Sequence, residues 1–442
     1  MSQTAINDGV NVYIDYLCRC EGETALELRV DNDGNVRKWE VNLFEPPRFF
    51  EGFLVGRKWY DAYETTSRIC GICSVPHTIS GIKATEKAFG IEPDRQCRDI
   101  RKLANMSELN MNCIVTNFIL GGPDFFRANS VFDLAGNPDL LPVVKQALKF
   151  KRLANDLTDY VGGRETHPIS MDVGRTTHFP DPARIPEFIS RYEEARKFAW
   201  EMAEVVSTYK PVVPFTRKAD LVAIHDPGEY ALNDGIIKST SGFEITPEDH
   251  DEQIHNRHIE SSNALFYYLG DDPKHSFMVG PIARVVINWA QLSEDSRKMA
   301  EKYWGDAQWF HENMPFSAYG AHCVEYMHTC DEIIEVLKRL DTGKNFKDQA
   351  KPKAGQGSID TEAPRGLLHY SFKFDENGDV TWADIVTPTA HCIHNLEVDL
   401  GELGPKLVGL SDEDATLMVE QVAHCYDLCC SCSVHMVDMR KA

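Results

Sequence analysis

The chain has 442 residues, of which 43% are hydrophobic, so it is long enough for one large domain or two to three average ones with ordinary cores. Its 46 basic and 68 acidic side chains give a formal charge of −22, which argues against nucleic acid as the main partner because phosphates need a basic face. No run of about eighteen apolar residues marks a membrane helix, and the first ten residues lack the basic-then-apolar pattern of a signal peptide, so the cytoplasm is the expected location. Thirteen cysteines in a chain without an export signal favour metal binding over a disulfide framework.

In chain order, the first signal is a hairpin: Ala25 to Val30, a turn over Asp31-Asn32-Asp33-Gly34-Asn35, then Val36 to Phe44. Apolar residues near the 3.6-residue period then predict helices over His77 to Phe89, Asp94 to Leu120, Leu140 to Val161, Ile185 to Thr208, Ser293 to Asn313 and Ala318 to Leu340. Between them, residues 211–283 read as an α+β lobe with strands at Ala219 to Ile224 and Gly235 to Ser239. Its polar stretch Glu248 to Glu260, rich in His, Asp and Glu, lacks regular ligand spacing and reads as a solvated loop rather than a metal site. Lys344 to Gly357 reads as a surface connector. A second hairpin follows, Leu367 to Phe374 and Val380 to Val386 around Asp375-Glu376-Asn377-Gly378-Asp379. The last predicted helix, Asp412 to Asp427, has Ser411 as its N-cap. The expected class is mainly α with small β elements (α+β): a helical-bundle core with hairpins near both ends, in one domain spanning 1–442.

The chemistry concentrates at two Cys-x-x-Cys pairs: Cys70-Gly71-Ile72-Cys73 followed by His77, and Cys429-Cys430-Ser431-Cys432 followed by His435. This spacing lets two sulfurs reach one metal. Four such cysteines are compatible with structural zinc, with an iron–sulfur cluster or with a catalytic thiolate site, although zinc modules usually draw both pairs from one compact segment. The remaining cysteines read as core or incidental thiols.

The surroundings are more specific. Arg19-Cys20-Glu21-Gly22, Arg68 before Cys70, Gly121-Gly122-Pro123-Asp124-Phe125, Glu362-Ala363-Pro364-Arg365-Gly366 and the terminal Asp427-x-Cys429-x-x-Cys432-x-x-His435 jointly resemble the large subunit of nickel–iron hydrogenases, over nearly the whole chain. The resemblance implies that fold, and implies that Cys70, Cys73, Cys429 and Cys432 bind nickel while Cys73 and Cys432 bridge to an iron carrying carbon monoxide and two cyanides. Soft thiolates suit these metals. It implies heterolytic splitting of H2, with Cys429 accepting the proton first and Glu21 leading it away. Arg365 is expected over the open metal position, oriented by Asp124, with Asp427 as a second carboxylate partner. Thr389 is expected to hydrogen-bond a cyanide and His77 a bridging sulfur, with Pro388 and Arg68 in the same surrounding layer. A magnesium-like ion is implied at Glu51, the Ile385 carbonyl and His435.

Departures from the family pattern are Glu23, Leu428 and the segment Thr389-Ala390-His391-Cys392-Ile393-His394-Asn395. Family precursors usually carry a longer tail that is cut after the histidine. Only 436–442 follow His435 here, so maturation without proteolysis is expected. With no cysteine set for an electron relay, the resemblance implies an iron–sulfur small subunit, maturation proteins and a flavoprotein acceptor linked to NAD(P), a deazaflavin, ferredoxin or a heterodisulfide. Electron bifurcation lies within the range of that soluble bidirectional branch. A hydrogen-sensing regulator and a structural zinc protein are the rival readings.

Overall fold

A computed structural model describes residues 9–345 and 347–434. The first sheet is antiparallel, with β1 (Val10–Ile14), β2 (Ala25–Val30) and β3 (Val36–Asn42) in that order. Its predicted turn is built by Asp31, whose Oδ1 accepts from the Asp33 and Asn35 amides at 3.0 and 2.9 Å, with Gly34 at φ 84°. Two short helices, α1 (Phe50–Leu54) and α2 (Trp59–Thr66), lead to α3 (Ser74–Phe89) and α4 (Arg95–Val115). The Asp94 side chain caps α4 by accepting from the Cys97 amide. The chain then winds into a π-type turn, Thr116–Leu120, where the sequence predicts uninterrupted α-helix.

After α5 (Val131–Gly136) come the long helices α6 (Leu141–Gly162) and α7 (Ile185–Val206), with the small ribbon β4 (Met171–Asp172) and β5 (Arg175–Thr176) between them. Residues 211–283 carry β6 (Asp220–His225), β7 (Ile236–Ser239), β8 (Glu244–Ile245), α8 (His250–Gln253), β9 (Ile254–Arg257), β10 (Phe266–Leu269) and β11 (Phe277–Met278). The polar stretch there is not simply a solvated loop. His250 is fully buried, stacks on His369 with ring centroids 3.8 Å apart, and its Nε2 meets His391 Nε2 at 3.2 Å.

Next are α9 (Pro281–Ile287), α10 (Glu294–Tyr303), α11 (Ala307–Glu312) and the buried α12 (Ser317–Arg339). The single helix predicted over 293–313 is broken at Trp304–Asp306. Asp306 starts a new helix by accepting from the Trp309 amide at 3.1 Å, which the apolar periodicity does not register.

The last sheet has β12 (Gly355–Ala363), β13 (Gly366–Phe374) and β14 (Val380–Val386) in sequential order, its second turn again built by an aspartate, Asp375. β12 was not foreseen, and it begins inside the expected connector. Its glycines reflect close approach rather than loop freedom: a Cβ at Gly355 or Gly357 would sit 2.5 Å from the Ala88 carbonyl oxygen or 2.1 Å from that of Ala84, both on α3. Also unforeseen is α13 (Pro388–Leu403), a helix largely buried and therefore without a polar stripe. α14 (Asp412–His424) has Ser411 as its N-cap, and α15 (Cys430–Ser433) ends the described chain.

The class is as expected: helices dominate, with small sheets. The core lies where α4 packs on α6 and α12, α12 on α7, and α3 against β12 and β13. No helix among the described residues is long and apolar enough to cross a membrane.

Candidate active site: a four-thiolate centre

The first cysteine pair sits where a turn, Ser67–Ile69, hands over to α3. The amides of Ile72 and Cys73 point at Cys70 Sγ, at 3.3 and 3.4 Å, a geometry that favours a thiolate. Glu108 on α4 accepts from the Val75 amide at 3.2 Å and the Ser74 hydroxyl at 3.3 Å, anchoring that helix start. In the second pair, Cys429 caps the start of α15 and Cys432 lies within it. Asp427, in the left-handed region at φ 48°, turns the chain out of α14, a conformation that aspartate tolerates better than most residues.

The chain's two ends are stitched together by backbone and side chain. Glu21 forms a parallel bridge with Cys429, its amide donating to the Leu428 carbonyl and its carbonyl accepting from the Cys430 amide at 2.8 Å. Arg48 donates to the carbonyls of Ile69 and Ser431, one beside each pair, while its own amide bonds Val434. Thr387 donates to the Cys432 carbonyl at 3.1 Å, and Glu45 accepts from the Ser431 hydroxyl at 2.8 Å.

The result is a buried cluster. Cys70 and Cys429 sulfurs lie 3.6 Å apart, Cys73 and Cys432 sulfurs 3.7 Å, and all four lie within 4.8 Å of one another. Tetrahedral thiolates at about 2.3 Å from one metal would stand about 3.7 Å apart, so the donor set fits a soft metal centre. Glu21 reaches Cys429 Sγ at 3.2 Å and the Ser431 amide at 3.1 Å. Burial, reinforced by Cys70, pushes the Glu21 carboxyl above its ordinary range, against the pull of those two hydrogen bonds.

Arg365 is also fully buried. Its Nε donates to the Asp427 carbonyl at 2.8 Å and its Nη2 lies 3.0 Å from Asp427 Oδ1, yet its Nη1 has no protein acceptor. Such a donor beside four thiolates fits anionic diatomic ligands on a metal. Burial works against the Asp427 charge, but Arg365 holds its carboxyl below the usual range.

Asp124, expected to orient Arg365, does not: its carboxylate pairs with Arg19 and with His424 Nδ1, and the partner of Arg365 is Asp427. The glycines before Asp124 are explained by crowding, since a Cβ at Gly121 would lie 2.1 Å from the Tyr319 hydroxyl. Thr389 accepts from the Cys429 amide at 2.9 Å, and Pro388 opens α13 beside it. His77 Nδ1 meets the Tyr370 hydroxyl at 2.6 Å. Arg68 points outward to Glu64 with its side chain 45% exposed, so it does not belong to the layer around the sulfurs. Glu51 is buried and accepts from the Ile385 amide at 2.7 Å. His435 and the tail 436–442 lie outside the described residues.

Sequence reasoning missed Arg48, Glu108 and Arg284. Arg284 is fully buried, pairs with Glu325 and Glu362, and donates to the Ala363 and Pro364 carbonyls at 2.9 and 2.8 Å, fixing the bend that presents Arg365. None sits in a motif of its own. The one hint is the run of apolar helix around Arg284, where a lone arginine needs partners.

Comparison with known proteins agrees with this geometry. The family model for nickel-dependent hydrogenases matches residues 48–137 and 271–435, more than half of the chain, and the chain therefore belongs to that family. Its homologues are hydrogenase large subunits, and it is an oxidoreductase acting on H2. It is 29% identical over 433 residues to the alpha chain of sulfhydrogenase 1 from Pyrococcus furiosus, covering 96% of this chain and 98% of that one. It is 27% identical over 462 residues to one chain of the F420-non-reducing hydrogenase from Methanothermobacter marburgensis, covering 97% and 95%. The crystal structure of an NAD+-reducing [NiFe]-hydrogenase in the H2-reduced state superposes with a TM-score of 0.87 at 22% identity, over 96% of this chain and 99% of that one, a likeness of fold.

Proposed function

We propose that Cys70, Cys73, Cys429 and Cys432 hold nickel, with Cys73 and Cys432 also bridging to an iron that carries carbon monoxide and two cyanides. Such a pair of soft metals, when bound, supplies a place where H2 is polarised and split heterolytically. The observation that carries this reading is the convergence of four buried sulfurs with a carboxyl on one side and the unpartnered Nη1 of the Arg365 guanidinium on the other.

The chain's own residues then have distinct tasks. The Cys429 sulfur takes the proton, and Glu21 Oε2, 3.2 Å away, receives it and passes it outward. A carboxyl whose affinity for protons is raised by burial suits that task. Arg365 directs its free Nη1 at the diatomic ligands, and Asp427 fixes its plane. Thr389 aligns the Cys429 backbone and keeps its own hydroxyl proton for a cyanide. His77 supports the sulfurs through its anchoring to Tyr370. Glu51, beside Ile385 and with His435, is the candidate seat of a magnesium ion.

Electrons leave through a separate iron–sulfur protein, because the other metal-type cluster that contains cysteine among the described residues has only one, Cys113. Among the described residues, eight of the thirteen exposed large hydrophobic side chains fall between Tyr13 and Tyr60, which supports a protein partner along that segment. The name of the Methanothermobacter relative speaks for a carrier other than F420 as the final acceptor, with NAD(P) one candidate and the cytoplasm the expected location.

Infrared spectroscopy of the purified complex tests the centre: bands of bound carbon monoxide and cyanide are expected. Stoichiometric zinc with no such bands would sink the proposal.

A further inference from the structure

Between α4, α12 and the Asp427 turn lies a set of buried polar atoms without protein partners. His322 is the clearest: it is 1% exposed, and neither ring nitrogen has a protein hydrogen-bond partner. Asn112 Oδ1, Asn117 Oδ1 and the Tyr319 hydroxyl also lack one. These groups are linked. Asn112 and Thr116 each donate to Asp427 Oδ2 at 2.8 Å, and Asn117 donates to the Tyr319 carbonyl at 3.3 Å. Tyr319 and His322, three residues apart, share one face of α12. The π-type turn Thr116–Leu120, a feature often found at functional sites, runs along the same line.

A native interior does not carry so many unsatisfied groups side by side, and buried water with two to four polar partners satisfies them. We propose that this line holds ordered water and that, with His322 as its proton-carrying member, it is a second proton path leading from beside the Asp427 turn toward the partly exposed Tyr209, separate from the Glu21 side. The inference rests on the H2-splitting centre proposed above. At the outer end the Tyr319 ring packs on Tyr209 with centroids 5.7 Å apart, and the partly exposed Tyr209 donates its hydroxyl proton to the Asn117 carbonyl. Gly121 leaves the room that the Tyr319 hydroxyl occupies.

The chemistry needs no co-reactant. A neutral imidazole accepts a proton at one nitrogen, releases one from the other, and ends as the opposite tautomer. Burial pushes His322 down to about 4, opposed by Glu325 and Asp427 and aided by Arg284 and Arg365, so the ring is neutral between transfers. The groups nearest on the other side do not compete for the proton. Glu325 is held by Arg284 and by the Tyr230 hydroxyl, and burial pushes the Cys113 thiol well above its usual value.

The test uses the purified, metal-loaded complex with the variants Glu21→Gln, His322→Phe, His322→Gln and the doubles. A high-resolution crystal structure should show ordered water within hydrogen-bond reach of the His322 nitrogens. Exchange of D2 with H2O protons should persist in Glu21→Gln, fall at least tenfold further when His322→Phe is added, and fall less with His322→Gln. A dry line, no exchange in Glu21→Gln alone, or a double variant equal to Glu21→Gln would each overturn the path. Infrared bands of the diatomic ligands separate the two readings. Bands retained with exchange unaffected by His322 defeat the path alone, while bands absent from the unmodified protein defeat the centre itself. His322→Gln is the deciding variant if His322→Phe loses its bands.

Discussion

Cys70 and Cys73 ride on the start of α3, a sixteen-residue helix packed against β12 and β13 and anchored at its first turn by Glu108. Cys429 precedes, and Cys432 lies within, a four-residue helical turn close to the end of the described chain. That second half is positioned by groups borrowed from elsewhere: the Glu21 backbone, the Arg48 guanidinium, Thr387 and Thr389. The first half is therefore preformed by helix packing, while the second is a docked segment whose order depends on what it docks to. In such an arrangement the metals contribute to closure, because they bind the folded geometry and not the open one.

The largest break in this comparison is Cys432→Ala. Hydrogenase activity should fall to background with loss of nickel, and hydrogen exchange should speed up sharply at residues 425–434 while α3 stays protected; equal loosening of both halves would contradict it. Next is Glu21→Gln, which keeps the docking backbone and removes only the proton acceptor. Turnover should fall about 10²- to 10⁴-fold with metal content and infrared bands retained, and lost bands would show a structural role instead.

A pH dependence sharpens the contrast. His424, just before the second pair, donates to Asp124 at 2.6 Å and to the Cys18 carbonyl at 2.9 Å. Burial opposes its charge, but the Asp124 carboxylate outweighs it and leaves the imidazole's proton affinity raised. Its contribution is thus complete below the unfolded value of about 6.5 and is lost as pH rises through the higher folded one. The opening free energy of residues 425–434, from hydrogen exchange corrected for intrinsic rates, should fall above neutral pH while that of α3 does not, and His424→Gln should flatten the trend. The smallest effect is Thr389→Val, which leaves the Cys429 amide without its acceptor. A local loss of about 1 kcal/mol at Cys429 is expected, with none at Cys70.

Both hairpins were legible because their turns are made by neighbours in sequence, Asp31 and Asp375 each folding the backbone onto its own side chain. The long amphipathic helices were legible from their polar faces. α13 was not, because a helix buried nearly all round shows no stripe, and β12 was hidden by glycines that serve contact with α3. Within the site, the four cysteines, Glu21 and Arg365 stood in recognisable motifs. That Arg365 keeps only one of its two expected carboxylates, Asp427 and not Asp124, was not readable, since both are aspartates in motifs and only their distance decides.

By itself, then, the sequence determined the donor set, the family and the local turns, all of which depend on residue identity at short spacing. The tertiary structure alone decided which carboxylate meets which cation, that Arg48 ties the two cysteine pairs, and that His322 lies buried without a protein partner. Those facts depend on how helices far apart in the chain pack, and side-chain pairing across such contacts leaves no periodic trace.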